Sequence, residues 1–133
     1  MVAIEEQAGG KAVDLQCCTL RQRPDGILEL HSKIFDEITL EHLKEITKAL
    51  PGLVTDPTLV LVFSNGASMS FEAMEQAAAS NAARAVALVA ADRVGAVISH
   101  NIVDVIDALR GATAMAAFDN EAEAVKWLLG FKD

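Results

Sequence analysis

The chain has 133 residues, a formal net charge of −8 and 52% hydrophobic residues, with five Phe, one Trp and no Tyr. That length suits one domain and buries enough surface to need neither a metal nor a disulfide. Eleven basic residues against nineteen acidic ones, with no basic run, argue against nucleic acid or an anionic membrane surface as a partner.

Residues 1–12 are acidic and then glycine-containing, with no basic segment leading into an apolar one. They read as a flexible N-terminal tail rather than a signal peptide, and residues 13–133 as a single domain. No stretch of roughly twenty residues is apolar and free of charge, so no membrane insertion is expected and the cytoplasm is the expected location. Cys17 and Cys18 are adjacent. On a strand they would face opposite ways, which predicts one buried and one exposed free thiol in a reducing compartment.

Residues 15–23 read as a first strand, and Pro24-Asp25-Gly26 as a turn. Residues 27–33 alternate, with Leu28, Leu30 and Ser32 on one side and Ile27, Glu29, His31 and Lys33 on the other, which completes a hairpin. Thr39 is a good N-cap for a helix over about 40–50, whose apolar positions Leu40, Leu43, Ile46 and Leu50 keep the helical period. The unbroken apolar run at 58–63 predicts a strand covered on both faces.

Asn65-Gly66 breaks that strand, and Ser68 or Ser70 caps a helix to about residue 80. Residues 84–91 form another central strand. The helix over about 94–109 has the clearest period in the chain: Val94, Val97, Ile98, Ile102, Val105, Ile106 and Leu109. A last strand covers 113–118, and Asp119 or Asn120 caps a final helix over 121–129. Glu121 and Glu123 in its first turn suit the helix dipole. The order ββαβαβαβα predicts an α/β domain with a mixed sheet and packed helices.

This order resembles the STAS domain, the fold of bacterial anti-sigma-factor antagonists and of the cytoplasmic tails of sulfate transporters. It is most similar to a poorly characterised bacterial branch of the SpoIIAA-like superfamily. The residues that carry the resemblance are Ala85-Val-Ala-Leu-Val-Ala90, the helix from Val94, Ala114-Met-Ala-Ala-Phe118, Asp119-Asn120-Glu121 and Ala124-Val-Lys-Trp-Leu128. It covers residues 13–131 and implies a regulatory module that binds a protein. In signalling members a switch Ser or Thr sits in an Asp-x-Ser-Ser/Thr-Gly-like motif. Ser68 and Ser70 lie in the matching region, which lacks the Asp at the strand end and the Gly after the serines.

Ligands of open α/β sheets gather outside the carboxyl ends of the strands. The candidate partner-binding, ligand-binding or switch residues are therefore Asn65, Gly66, Ser68, Ser70, Phe71, Met74, Asp92 and Arg93. Helix capping and chain turning explain most of these residue types equally well. His100 and Asp104 are four apart on a helix and suggest a solvated pair; with Ser99 they form the weakest candidate, a hydrolase. Ser99 and His100 diverge by about 100° on a helix, which does not suit a nucleophile and its base. His31, His42 and His100 lack metal-ligand spacing, and no dinucleotide or phosphate-binding loop is present, so no cofactor is expected.

The alanines at 82, 83, 85, 87, 90, 91 and 96 either let helices approach the sheet closely or leave room for a small apolar ligand, with Met69, Phe71 and Met74 at its mouth. Trp127 either covers the core or anchors a dimer. Two non-enzymatic readings result: a regulatory module that binds a protein, a second copy included, and a carrier of a small apolar ligand or lipid.

Overall fold

Pro24 and Gly26 turn the chain back on itself, and Gly26 adopts a positive φ of 89° that glycine takes without strain. The strands on either side, β3 (Cys18–Gln22) and β4 (Ile27–Ser32), pair antiparallel with Leu20 opposite Leu30. The computed structural model describes residues 4–7, 10–53, 58–80, 83–90, 92–109 and 113–132. Upstream of β3 lie β1 (Ile4–Gln7) and β2 (Gly10–Asp14), which extend the antiparallel meander. Residues expected to form a flexible tail are thus partly in the sheet, because β3 offers an open edge whose backbone groups β2 satisfies.

From β4 onward the chain alternates. The elements are β5 (Glu37–Ile38), α1 (Leu40–Ala49), a 3₁₀ turn (Leu50–Gly52), β6 (Leu59–Ser64), β7 (Ser68–Met69), α2 (Phe71–Ala79), β8 (Ala85–Ala90), α3 (Arg93–Ala108), β9 (Ala114–Phe118) and α4 (Glu121–Leu129). The seven-stranded sheet has the order β1-β2-β3-β4-β6-β8-β9, parallel from β4 to β9, while β5 and β7 form a separate parallel pair. The result is a mixed α/β domain with four helices on its sheet, as the element order predicts.

Each crossover steps the same way across the sheet. Crossovers of one hand then place α1, α2 and α3 on one face. α4 packs on the other face, against β6, β8 and β9. Its approach is close because small side chains meet there: Ala85, Ala87 and Ala124 are all 0% exposed, beside Leu59, Leu61 and Leu128. Trp127 covers this core, with ring centroids 5.5 Å from Phe118 and 4.9 Å from Phe131. Ala82 and Ala91 lie outside the described residues.

The three-helix face holds two further clusters. Val13, Leu20, Leu28 and Val60 pack with Leu50 and Leu53 at the end of α1. Leu88, Ile102, Val103 and Ile106 pack between β8 and α3. α1 itself contributes no fully buried side chain, although its apolar stripe faces inward.

Cys17 and Cys18 are both buried, at 3% and 1% exposure, rather than one in and one out. Cys17 precedes β3, so strand alternation does not govern it, and α1 covers it. Its amide donates to Glu45 Oε1 at 3.3 Å, and the Gln16 amide donates to Glu45 Oε2 at 3.0 Å.

Candidate functional site

The segments that follow β4, β6 and β8 meet at the carboxyl end of the sheet. Asn65 donates from Nδ2 to the Ser32 carbonyl. The Ser68 amide donates to the Asp36 carbonyl at 2.9 Å, and the Ser70 amide to the Ile38 carbonyl at 2.9 Å. Ser68 Oγ adds a second bond to the Asp36 carbonyl at 3.2 Å.

The other candidates at this end have local duties. Ser70 Oγ caps α2 by accepting from the Ala73 amide at 3.2 Å, so Ser70 and not Ser68 is the cap. Asp92 Oδ1 caps α3 by accepting from the Gly95 amide at 2.7 Å. Gly66 has φ 83° and turns the chain after β6. Arg93 is exposed at the first position of α3, and Phe71 is 55% exposed at the first position of α2. Met74 packs against the Leu88 cluster. The expected residues therefore do come together, but through caps and turns.

Beneath that end, a cavity of about 170 Å³ lies between the sheet and α1, α2 and α3. Leu30, Val60, Val62, Val86, Leu88 and Met115 form its sheet wall. Leu43 and Ile46 of α1, Ala77 of α2 and Ile102 of α3 form its helix wall. This explains why α1 has no fully buried residue: Leu43 and Ile46 of its apolar stripe border the cavity, although Ile46 and Ala49 also pack against the Leu28 cluster. Thr47 and Gln76 line the cavity and are exposed, which places its opening between the later turns of α1 and α2.

None of the eight site residues expected from sequence lines this cavity, although their neighbours Ser64, Ala67 and Met69 do. Of the alanines expected to make room, Ala83 lines it, while Phe71 and Met74 do not stand at its mouth. No Asp, Glu, His, Lys, Arg or Cys is among the described residues of its wall.

The opposite face carries a charged cluster that sequence reasoning missed. Glu29 is 6% exposed and forms ion pairs with Arg21 and Arg23, each at 3.4 Å, and its Oε1 lies in hydrogen-bond contact with His31 Nε2 at 2.9 Å. Arg23 also pairs with Asp25 and Glu121. His31 stacks on Phe63 with centroids 4.4 Å apart. The cross-strand register of Arg21 with Glu29 assembles the cluster, and a charge at a strand position facing α4 is its sequence signal. Carboxylates answer the guanidinium charges around the buried Glu29, which gives a paired, partly exposed network rather than an anion site.

His31, His42 and His100 sit on β4, α1 and α3, and no group of three or more metal-ligating side chains occurs among the described residues. His100 and Asp104 are both exposed, and no ion pair joins them among the described residues. The Cys18 thiol is pushed up to about 11, chiefly by burial, and burial also raises Cys17, followed by its bond to Glu45. Neither is a ready thiolate nucleophile. No helix among the described residues is long and apolar enough to cross a membrane.

No family model matches the chain, and no curated protein does. Among solved structures, it is similar to an uncharacterised protein of the DUF3478 family with a SpoIIAA-like fold from Shewanella loihica PV-4. The match covers 96% of this chain and 92% of that one, at 12% identity and a TM-score of 0.46.

Proposed function

We propose that the protein is a non-catalytic binding module whose ligand is a compact apolar molecule held between the sheet and α1, α2 and α3. The cavity carries this reading. At about 170 Å³ it is close to an engineered aliphatic cavity of about 150 Å³ that takes up benzene. It is smaller than the roughly 300–1,000 Å³ of sites for drug-sized ligands, so the ligand class narrows from a lipid to a benzene-sized molecule. The wall offers aliphatic surface and, among the described residues, no titratable group, which suits binding better than acid–base or nucleophilic chemistry.

A ligand that binds only the folded state raises thermal stability in proportion to the logarithm of its concentration. Benzene is expected to raise the Tm of the wild-type chain. It is expected to leave unchanged the Tm of Ala77→Leu, which puts an isobutyl group where the wall has a methyl. A wild-type Tm indifferent to saturating benzene would overturn the reading.

A second reading rests on exposed apolar side chains at the carboxyl end of the sheet. Phe35 is 75% exposed, Phe71 55%, Val94 70% and Val97 66%, on the segments after β4, β6 and β8. They favour a protein-interaction role of the STAS-like regulatory kind, with another protein or a second copy as partner. Sedimentation of the wild type and of Phe71→Ser/Val94→Ser across a concentration series tests the second copy. Self-association lost in the variant supports it, and a monomer throughout removes it.

A further inference from the structure

We infer that the cavity selects a benzene-sized molecule carrying one hydroxyl group, and that Ser99 Oγ is the group that recognises that hydroxyl. This rests on the ligand-binding reading above and names the class of ligand.

Ser99 lies in the second turn of α3. It is 2% exposed and lines the cavity, one turn before Ile102 in the same wall. Several of the other wall hydroxyls have work to do within the protein. Ser32 Oγ donates to the Ile34 carbonyl at 3.3 Å and accepts from the Ile34 amide at 3.1 Å. Ser64 Oγ accepts from the Gly66 amide at 3.1 Å. Thr113 Oγ1 donates to the Ala83 carbonyl at 2.8 Å. Thr47 is exposed at the opening and faces solvent.

Ser99 differs from these, since no described residue shares a hydrogen bond with its hydroxyl. Yet every sealed side-chain nitrogen or oxygen among the described residues has a partner. The two observations agree if Ser99 Oγ is not sealed and its small exposed area opens into the cavity. A hydroxyl set in an aliphatic wall is costly to leave unpaired and discriminates between ligands that can and cannot pair with it. The cavity volume admits one ring, and a ring bearing a single hydroxyl satisfies both the wall and Ser99.

Calorimetric titration of the full-length wild type and of Ser99→Ala with benzene and with phenol tests this. Alanine suits a helix and removes only the oxygen, so Ser99→Ala keeps the fold. In the wild type both ligands bind. In Ser99→Ala, phenol affinity is expected to fall roughly three- to tenfold, the scale of one hydrogen bond, while benzene binds as well as before or better. If Ser99→Ala weakens neither ligand, or both equally, Ser99 does not read the hydroxyl, and the apolar-ligand reading stands without it. If the wild type binds neither, both readings fall together.

Discussion

Gly66 and Gly95 meet backbone to backbone where the turn after β6 touches the first turn of α3: a methyl placed on Gly95 would stand 3.6 Å from Gly66 Cα. The two glycines are required for different reasons. A methyl on Gly66 would make only an ordinary contact, 3.8 Å from Gly95 Cα, but the backbone there has a φ of +83°, so Gly66→Ala is expected to cost about 1–2 kcal/mol through backbone strain. Gly95 is helical, and alanine there would gain about 1 kcal/mol in helix propensity. It would also stand 3.1 Å from Asp92 Oδ1 and 3.3 Å from Ala90 Cβ. Gly95→Ala is therefore expected to fall nearer neutral than Gly66→Ala. Urea unfolding of both variants checks the order, and a larger loss at Gly95 would show that the contact with Ala90 cannot relax.

Asp92 holds the start of the sixteen-residue α3, which carries Ser99 and Ile102 into the cavity wall. Asp92→Ala removes the acceptor for the Gly95 amide and should cost about 1 kcal/mol, whereas Asp92→Asn should cost little because asparagine caps as well. Equal losses in chemical denaturation would mean that charge, rather than the cap bond, is what α3 uses at this position.

Ser68 and Ser70 look alike in the sequence, but the structure separates them. Ser70→Asp keeps a good N-cap residue and places a negative charge at a helix N-terminus, so stability should hold or rise slightly. Ser68→Asp removes the hydroxyl that donates to the Asp36 carbonyl and puts a carboxylate beside Glu37, its partner in the β5–β7 pair. It should loosen that pair and lower Tm, and the loss should shrink in high salt. Identical melts for the two variants would refute the distinction.

The helices were the most legible part of the sequence. Thr39, Ser70, Asp92 and Asn120 stand as N-caps, and apolar period and cap chemistry are both local signals. The central strands β6 and β8 were equally plain, because a strand covered on both faces is apolar throughout. β1 was not legible. Ile-Glu-Glu-Gln has no alternation, and only its pairing with β2 makes it a strand. Nor was the pairing of Glu37-Ile38 with Ser68-Met69, two residues long and thirty-one positions apart. The cavity had only a hint in the alanines, because its size depends on how far α1 stands above Leu30 and Val60, which no single segment encodes.

The thiols give a prediction at alkaline pH. Burial raises both in the folded protein, Cys18 to about 11, above the roughly 8.5 of an unfolded thiol. A group whose folded pKa is raised contributes stability that is complete below the unfolded value and lost as pH rises through the folded one. The wild type should therefore lose stability from about pH 8.5 upward, more steeply than Cys17→Ser/Cys18→Ala. Parallel alkaline denaturation curves would mean that other groups carry the loss. Native protein should also resist iodoacetamide at pH 8, where the urea-unfolded chain reacts.

Glu45 gives the complementary prediction in acid. The Cys17 thiol first, and then the Gln16 amide, hold its carboxyl below the usual glutamate range. A lowered folded pKa contributes stability that is present above the unfolded value, about 4.3, and lost as pH falls through the folded one. Glu45→Gln keeps an oxygen that can accept from one of the two amides but has no charge to titrate. At pH 7 the variant should be less stable than the wild type, by a modest amount because Glu45 lies in reach of solvent. As pH falls below the unfolded value and through the lowered folded one, the wild-type carboxyl takes up its proton and the difference should close. Stability measured by urea unfolding at pH 7, 5 and 3.5 reads this directly. A gap of constant size across that range would mean that the two amides need only an oxygen at this position and that the charge of Glu45 does not tie α1 to the residues before β3.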